Sequence, residues 1–373
     1  MARGLPTLRL HLALAMISAA VIAFQLALMQ FLSLVQWHHF ASMIIAVALL
    51  GFGAAGTCLS LLRSRLMRRF ATLLPLFLCL SGTAMALVAG VAQGSWVRFD
   101  SLLMLTGIRE LLKLLITYGL YLLPIFLAAL AIGMVFVRSA ADIGRLYFWN
   151  LIGSAAGGGA MTGLMWLFQP AALPGLAAAM AVAAALLVLP EGLRGTTAPF
   201  DSAAGAEDPP SAGDAGERRV GDPAARSGRG WPWVLIAAAL LTCLAVAFSV
   251  IQPPVPVLSE FKGLSRALHL PASRITAERS SPYGLMQVFA SPALRYAPGL
   301  SLAWQEEIPV GKAVFNNGDW FGALVPGKGG GAFLDHTTGA LPYALGPRRS
   351  VLILDAGSCS LVSQAINHGA EQI

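Results

Sequence analysis

Six small or short side chains stand together near residue 355, in the order Asp355-Ala356-Gly357-Ser358-Cys359-Ser360. Four apolar residues, 351–354, lead into them, and an apolar-periodic run through Leu361, Val362, Ala365 and Ile366 follows. That pattern predicts strand, tight turn and helix. A turn of small residues at the start of a helix leaves backbone N–H groups free and lets a ligand approach the positive end of the helix dipole. The chemistry this suits is the binding of a nucleotide or an adenosyl group by the opening unit of an α/β domain. Its expected form is G-x-G-x-G, whereas here Asp355 stands at the first glycine position, Gly357 at the second and Cys359 at the third. Taken alone, the turn fits a cofactor turn and an ordinary βα turn equally well.

Other residues offer less. Asp319, Asp335, Glu306 and Glu307 are carboxylates available in the tail, and solvated loop positions account for them better than general-base roles do. Gly157-Gly158-Gly159 has no strand before it and an apolar run around it, so close helix packing explains it better than a phosphate loop. His38 and His39 point in different directions on a helix and read as interfacial neighbours of Trp37, not as metal ligands. Cys58, Cys79, Cys243 and Cys359 form no C-x-x-C pair, and no disulfide framework or metal site follows from them.

The elements that must carry this turn are mostly apolar. Of 373 residues 57% are hydrophobic and 12% charged, and the mean hydropathy is +0.71, which places the chain in the membrane class. Seven runs approach the roughly 20 apolar residues that a bilayer crossing needs: 10–35, 40–62, 70–91, 111–137, 146–168, 171–189 and 233–251. Lys and Arg number 25 against 18 Asp and Glu, but the tail from 252 onward carries nine against eight. The excess therefore sits in loops between spans, where it orients a membrane protein and does not build a nucleic-acid surface. Arg3, Arg9, Arg63, Arg65, Arg68 and Arg69 place the N-terminus and the loop after the second span in the cytoplasm. Seven spans then put the tail on the opposite side; a count changed by one, around Gln169-Pro170, reverses this.

Gly153, Gly157, Gly159 and Gly163 form two small-xxx-small pairs in the fifth run, suited to close helix contacts within the chain or to a second copy of it. Asn150, Gln25 and Gln30 are costly in lipid and should bond across helices or line a path. Residues 190–230, rich in Gly, Ala, Pro, Asp and Arg, read as a disordered loop. After residue 251 the sequence predicts a short helix over 261–270. Strands follow over 274–277, 284–290 and 313–315, with turns at Ser280-Ser281-Pro282-Tyr283 and Asn316-Asn317-Gly318. The expected organisation is a multi-span α-helical membrane domain over 1–251, a small β-rich region over 252–346, and the first βα unit of a Rossmann-like α/β domain over 347–373.

Six stretches, in this order, resemble the membrane-anchored branch of the spermidine synthase (polyamine aminopropyltransferase) family: LMQFLSLVQWHHFASMIIAVALLGFGAAG at 28–56, GRLYFWNLIGSAAGGG at 144–159, EFKGLSRAL at 260–268, AERSSPYGLMQVF at 277–289, LPYAL at 341–345 and VLILDAGS at 351–358. The resemblance implies a multi-pass protein of the inner (plasma) membrane. Its tail would bind decarboxylated S-adenosylmethionine as co-substrate, for transfer of an aminopropyl group to putrescine. By resemblance Asp355, Gly357 and Ser358 belong to the cofactor turn, Tyr283 and Tyr343 to the substrate site, and no metal is implied. Tyr283-Gly284 falls on the family's Tyr-Gly hairpin and Asn317-Gly318 on its Asp-Gly turn. The acidic residue that holds the ribose and the catalytic aspartate have no counterpart here, so no catalytic residue is assigned. The expectation is a chain inactive alone, completed if at all by a separate chain, with polyamines and lipid as its other partners. A non-enzymatic transporter-like or scaffold protein with a vestigial tail, and a fragment of an adenosyl-dependent methyltransferase, are the alternatives.

Overall fold

Long apolar runs with no internal charge have only one way to satisfy their backbone in lipid, which is to form helices. The structure, a computed structural model, describes residues 4–99, 103, 107–194, 232–295, 297, 299–308, 310–325, 331–354 and 356–373. It contains seven helices of 20 residues or more: α1 (Gly4–Val35), α2 (His38–Arg68), α3 (Phe70–Ala92), α4 (Ile108–Arg138), α5 (Ile143–Leu164), α6 (Leu173–Arg194) and α7 (Pro232–Ile251). Six of them are long and apolar enough to cross a membrane; α5 is the exception, because its glycines and Asn150 dilute its hydropathy. The loop expected over 190–230 lies outside the described residues from 195 on, and α6 runs to Arg194.

The bundle is built on α1, which packs against α2, α5 and α6 and buries Phe24 and Phe31 completely. α3 lies against α4, α6 and α7. Gly153 and Gly157 of α5 face the backbone of Ala15 and Ala19 of α1, where any Cβ would collide with a carbonyl. Space around Gly159 and Gly163 is open, so only the first small-xxx-small pair makes the close approach. Of the polar residues expected to bond across helices, Asn150 does so, with Ser18 Oγ donating to its Oδ1 at 2.7 Å. Gln30 bonds the tail instead. Leu49, Leu61 and Leu244 are exposed on the outside of the bundle, as lipid-facing residues are.

The tail begins with α8 (Gly263–Ala267), shorter than the run read from sequence. A four-stranded antiparallel meander follows, in the order β1 (Arg274–Ser281), β2 (Gly284–Ala290), β3 (Lys312–Asn316) and β4 (Asp319–Ala323). β1 and β2 pair from Arg274↔Ala290 to Ser281↔Gly284, and β3 and β4 meet at Asn316↔Asp319. Asn317 (φ 50°) and Gly318 (φ 77°) make the two-residue turn whose left-handed backbone suits the twist of a hairpin. One face of the sheet buries Phe289, Ala313 and Phe315 together with Leu264, Phe333 and Leu334.

The strand expected at 351–354 does not form. That stretch has one parallel bridge, Ser350 with Gln372, and one ladder-like bond, from the Val351 amide to the Gln372 carbonyl at 2.9 Å. A parallel strand needs a partner along its edge, and Leu352 and Leu354 stay 85% and 81% exposed. The helix does form, as α10 (Ser360–Asn367) after α9 (Leu341–Ala344), and it packs on the 3-10 turn Ala332–His336. The order of the predicted βα unit is thus kept with a single bridge in place of its strand, and no Rossmann-like sheet is built among the described residues.

Candidate functional site

The turn of small residues is held in a backbone conformation that favours glycine. Gly357 has φ 53° and Cys359 φ 64°, both in the left-handed region, and Cys359 caps the start of α10. A side chain at such a position costs about 1–2 kcal/mol of backbone strain, so Cys359 occupies a position built for glycine. The turn docks on β4 where Gly322 lacks a side chain; a Cβ there would strike Ser358. Asp355 lies outside the described residues.

Between this turn, β4 and residues 333–339 opens a pocket of about 640 Å³, within the range of roughly 300–1,000 Å³ of small-molecule sites. Trp320, Phe321 and Phe333 give it aromatic walls, while Thr337, Thr338, Ser358 and Ser360 give it hydroxyls. Gln364 also lines it. Its Nε2 donates to the Leu334 carbonyl at 2.8 Å, and its Oε1 is buried with no protein donor. Such an orphan acceptor is rare in a finished core. No ionisable side chain is among the described residues lining the pocket, and no group of three or more His, Cys, Asp or Glu gathers among the described residues to hold a metal.

The structure therefore brings Gly357 and Ser358 to one pocket and leaves Tyr283 and Tyr343 elsewhere. Tyr283 sits 83% exposed at the tip of the β1–β2 hairpin, beside the bundle. Tyr343 in α9 stacks on His368 (centroids 4.4 Å, planes 8° apart), and His368 Nε2 lies 2.8 Å from Asp335 Oδ1. Neither tyrosine lines the pocket.

Sequence reasoning missed a second polar centre, where the tail meets α1. Lys262 is fully buried, and its Nζ donates to the Ser33 carbonyl at 2.7 Å, the Asn317 carbonyl at 2.5 Å and Asp319 Oδ2 at 3.2 Å. Ser33 lies in the last turn of α1, whose carbonyls have no intrahelical partner, so the ammonium caps the helix and complements its dipole. Around it the Ser259 amide donates to the Val35 carbonyl, Asn317 Nδ2 to Ser33 Oγ, and Gln30 Nε2 to the Ser281 carbonyl. Burial lowers the Lys262 pKa below 10.5, with the Asp319 carboxylate opposing the shift. Nothing in the spacing of EFKGLSRAL marks this lysine, because its partners come from residues 33, 317 and 319. Asp319 opens β4, whose next four residues, 320–323, line the pocket, so the junction and the pocket share one strand.

Comparison of the chain with protein families, with curated proteins and with solved structures finds no match in any of the three.

Proposed function

We propose that this chain is a spermidine synthase-like multi-pass protein of the inner (plasma) membrane, whose tail holds an adenosyl ligand against the turn 356–359. The carrying observation is the pocket of about 640 Å³ walled by that turn, with left-handed backbone at Gly357 and Cys359. Aromatic walls suit a purine ring, and hydroxyls and the turn suit a ribose. By resemblance the ligand is decarboxylated S-adenosylmethionine and the second substrate a polyamine. Proton removal from an amine needs a base within hydrogen-bond reach. The described pocket walls carry none, so the role assigned to these residues is binding and not proton removal.

The same lack of ionisable groups favours a second reading, a non-enzymatic membrane protein in which the tail only binds or scaffolds. Calorimetry on the purified full chain in detergent tests the first. Decarboxylated S-adenosylmethionine should bind saturably, and Gly357→Val, which cannot adopt φ 53° without strain, should weaken binding at least tenfold. Absence of heat with the wild-type chain overturns the adenosyl reading. Aminopropyl transfer by this chain alone overturns the claim that it only binds.

A further inference from the structure

Two ends of the bundle differ sharply in charge. The single residue Arg69 joins α2 to α3, so the end of α2 and the start of α3 lie together. The Arg138 guanidinium, at the end of α4, sits 5.7 Å from the centre of the Phe70 ring, which puts that helix end beside them. His11 near the start of α1 and Trp149 near the start of α5 are 6.3 Å apart. This end carries Arg9, Arg63, Arg65, Arg68, Arg69, Arg138 and Arg145, against Asp142 and Glu191.

The tail is attached at the other end. Ser259 bonds Val35 at the end of α1, Val257 bonds Gln93 just past α3, and Gln169, between α5 and α6, bonds Glu278 of β1. Gln36, between α1 and α2, bonds Phe99 in the segment after α3. The bundle's cations among the described residues here are Arg98, Arg109 and Lys113, and Lys113 is paired with Glu110 at 2.7 Å. Each of the seven long helices runs from one of these ends to the other. α5 falls below the hydropathy of a span, yet it lies along α1 and keeps the count odd.

Arginine and lysine in short loops stay on the cytoplasmic side of a membrane, with little influence from acids. We infer that the arginine end is cytoplasmic and that the tail, with its pocket, faces the opposite compartment. The consequence for the pocket rests on the reading proposed above: whatever fills it is drawn from the extracytoplasmic phase. A donor made in the cytoplasm has to cross the membrane before it reaches the turn at 356–359.

Cys359 is exposed in the native tail and serves as the reporter. In spheroplasts expressing the full chain, a membrane-impermeant maleimide should label Cys359 at least tenfold above a Cys359→Ser control. Arg65→Cys in that control background should be labelled only after permeabilisation. Leu302→Cys, at a position 99% exposed on the tail, gives a second reporter should Cys359 react poorly for local reasons. Labelling of Leu302→Cys only after permeabilisation, or of Arg65→Cys in intact spheroplasts, overturns the inference. Since no ligand is needed, the result stands apart from whether the pocket binds an adenosyl group.

Discussion

α1 is held by opposite chemistries along its length. In its first half Ala15 and Ala19 touch Gly153 and Gly157 of α5 backbone to backbone, with a single side-chain bond beside them, from Ser18 to Asn150. At its last turn Ser33 and Val35 offer carbonyls that a buried lysine and an amide N–H answer, and an asparagine donates to the Ser33 hydroxyl. Lipid explains the first, because helices there associate by close fit and small residues allow it. The second lies where the helix ends and the orphan carbonyls must find donors. The lesson is that the tail is fixed to the bundle by hydrogen bonds whose partners are far apart in sequence.

The comparison breaks most severely at the glycines. Gly153→Val or Gly157→Val forces side-chain atoms into the α1 backbone and should cost about 3 kcal/mol or more, seen as a fall in the melting temperature of the purified chain. Gly159→Ala, with open space around it, should be neutral or gain up to about 1 kcal/mol from helix propensity. Equal effects at residues 153 and 159 would remove the close-packing account.

Next comes the polar end. Lys262→Met leaves the Ser33 and Asn317 carbonyls without their shared donor, at about 1–3 kcal/mol for each buried group left unpaired. Hydrogen exchange should rise over 258–290 and 312–323 while the core of the bundle stays protected. The pH profile gives the sign. The folded pKa of Lys262 is lowered, so between that value and 10.5 the unfolded tail binds more protons than the folded one. Stability of the tail therefore rises with pH across that window and is flat below it. Lys262→Met should lose this rise.

The smallest effect is expected at Cys359. Its φ of 64° suits glycine, so Cys359→Gly should relieve strain; glycine's greater freedom in the unfolded chain offsets part of this, leaving a gain of up to about 1 kcal/mol. Thermal unfolding of the tail, followed by tryptophan fluorescence, measures it, and a loss of stability would mean that the side chain contributes more than its backbone costs.

Much of the architecture was legible because local signals decide it. Runs of apolar residues became helices, the Asn316-Asn317-Gly318 signal became a hairpin turn, and the turn expected over Ser280-Ser281-Pro282-Tyr283 tightened to Pro282-Tyr283 because β1 runs on to Ser281. The seven runs read as spans became six sufficiently apolar helices and α5, whose glycines serve packing at the expense of hydropathy. At 351–354 the reading failed because β-forming residues make a strand only with a neighbour to pair with. Of the candidate site, residue size and spacing show a tight turn before a helix at 355–360, and the role of Gly357 and Ser358 there is what the resemblance implies. The aromatic and hydroxyl walls come from β4 and from residues 333–339, and no periodicity marks their meeting with the turn. Lys262 was invisible for the same reason: its role is set wholly by contacts across the fold.

The central claim is that the space between β4, residues 333–339 and the turn at 356–359 is a small-molecule site. Photo-crosslinking of the full chain with an azido-adenosine probe, followed by peptide mapping, tests it most directly. Label should fall within 320–325, 333–339 or 356–364 and be competed by unmodified adenosyl ligand. Label confined to the bundle, or label that excess ligand does not displace, would contradict it.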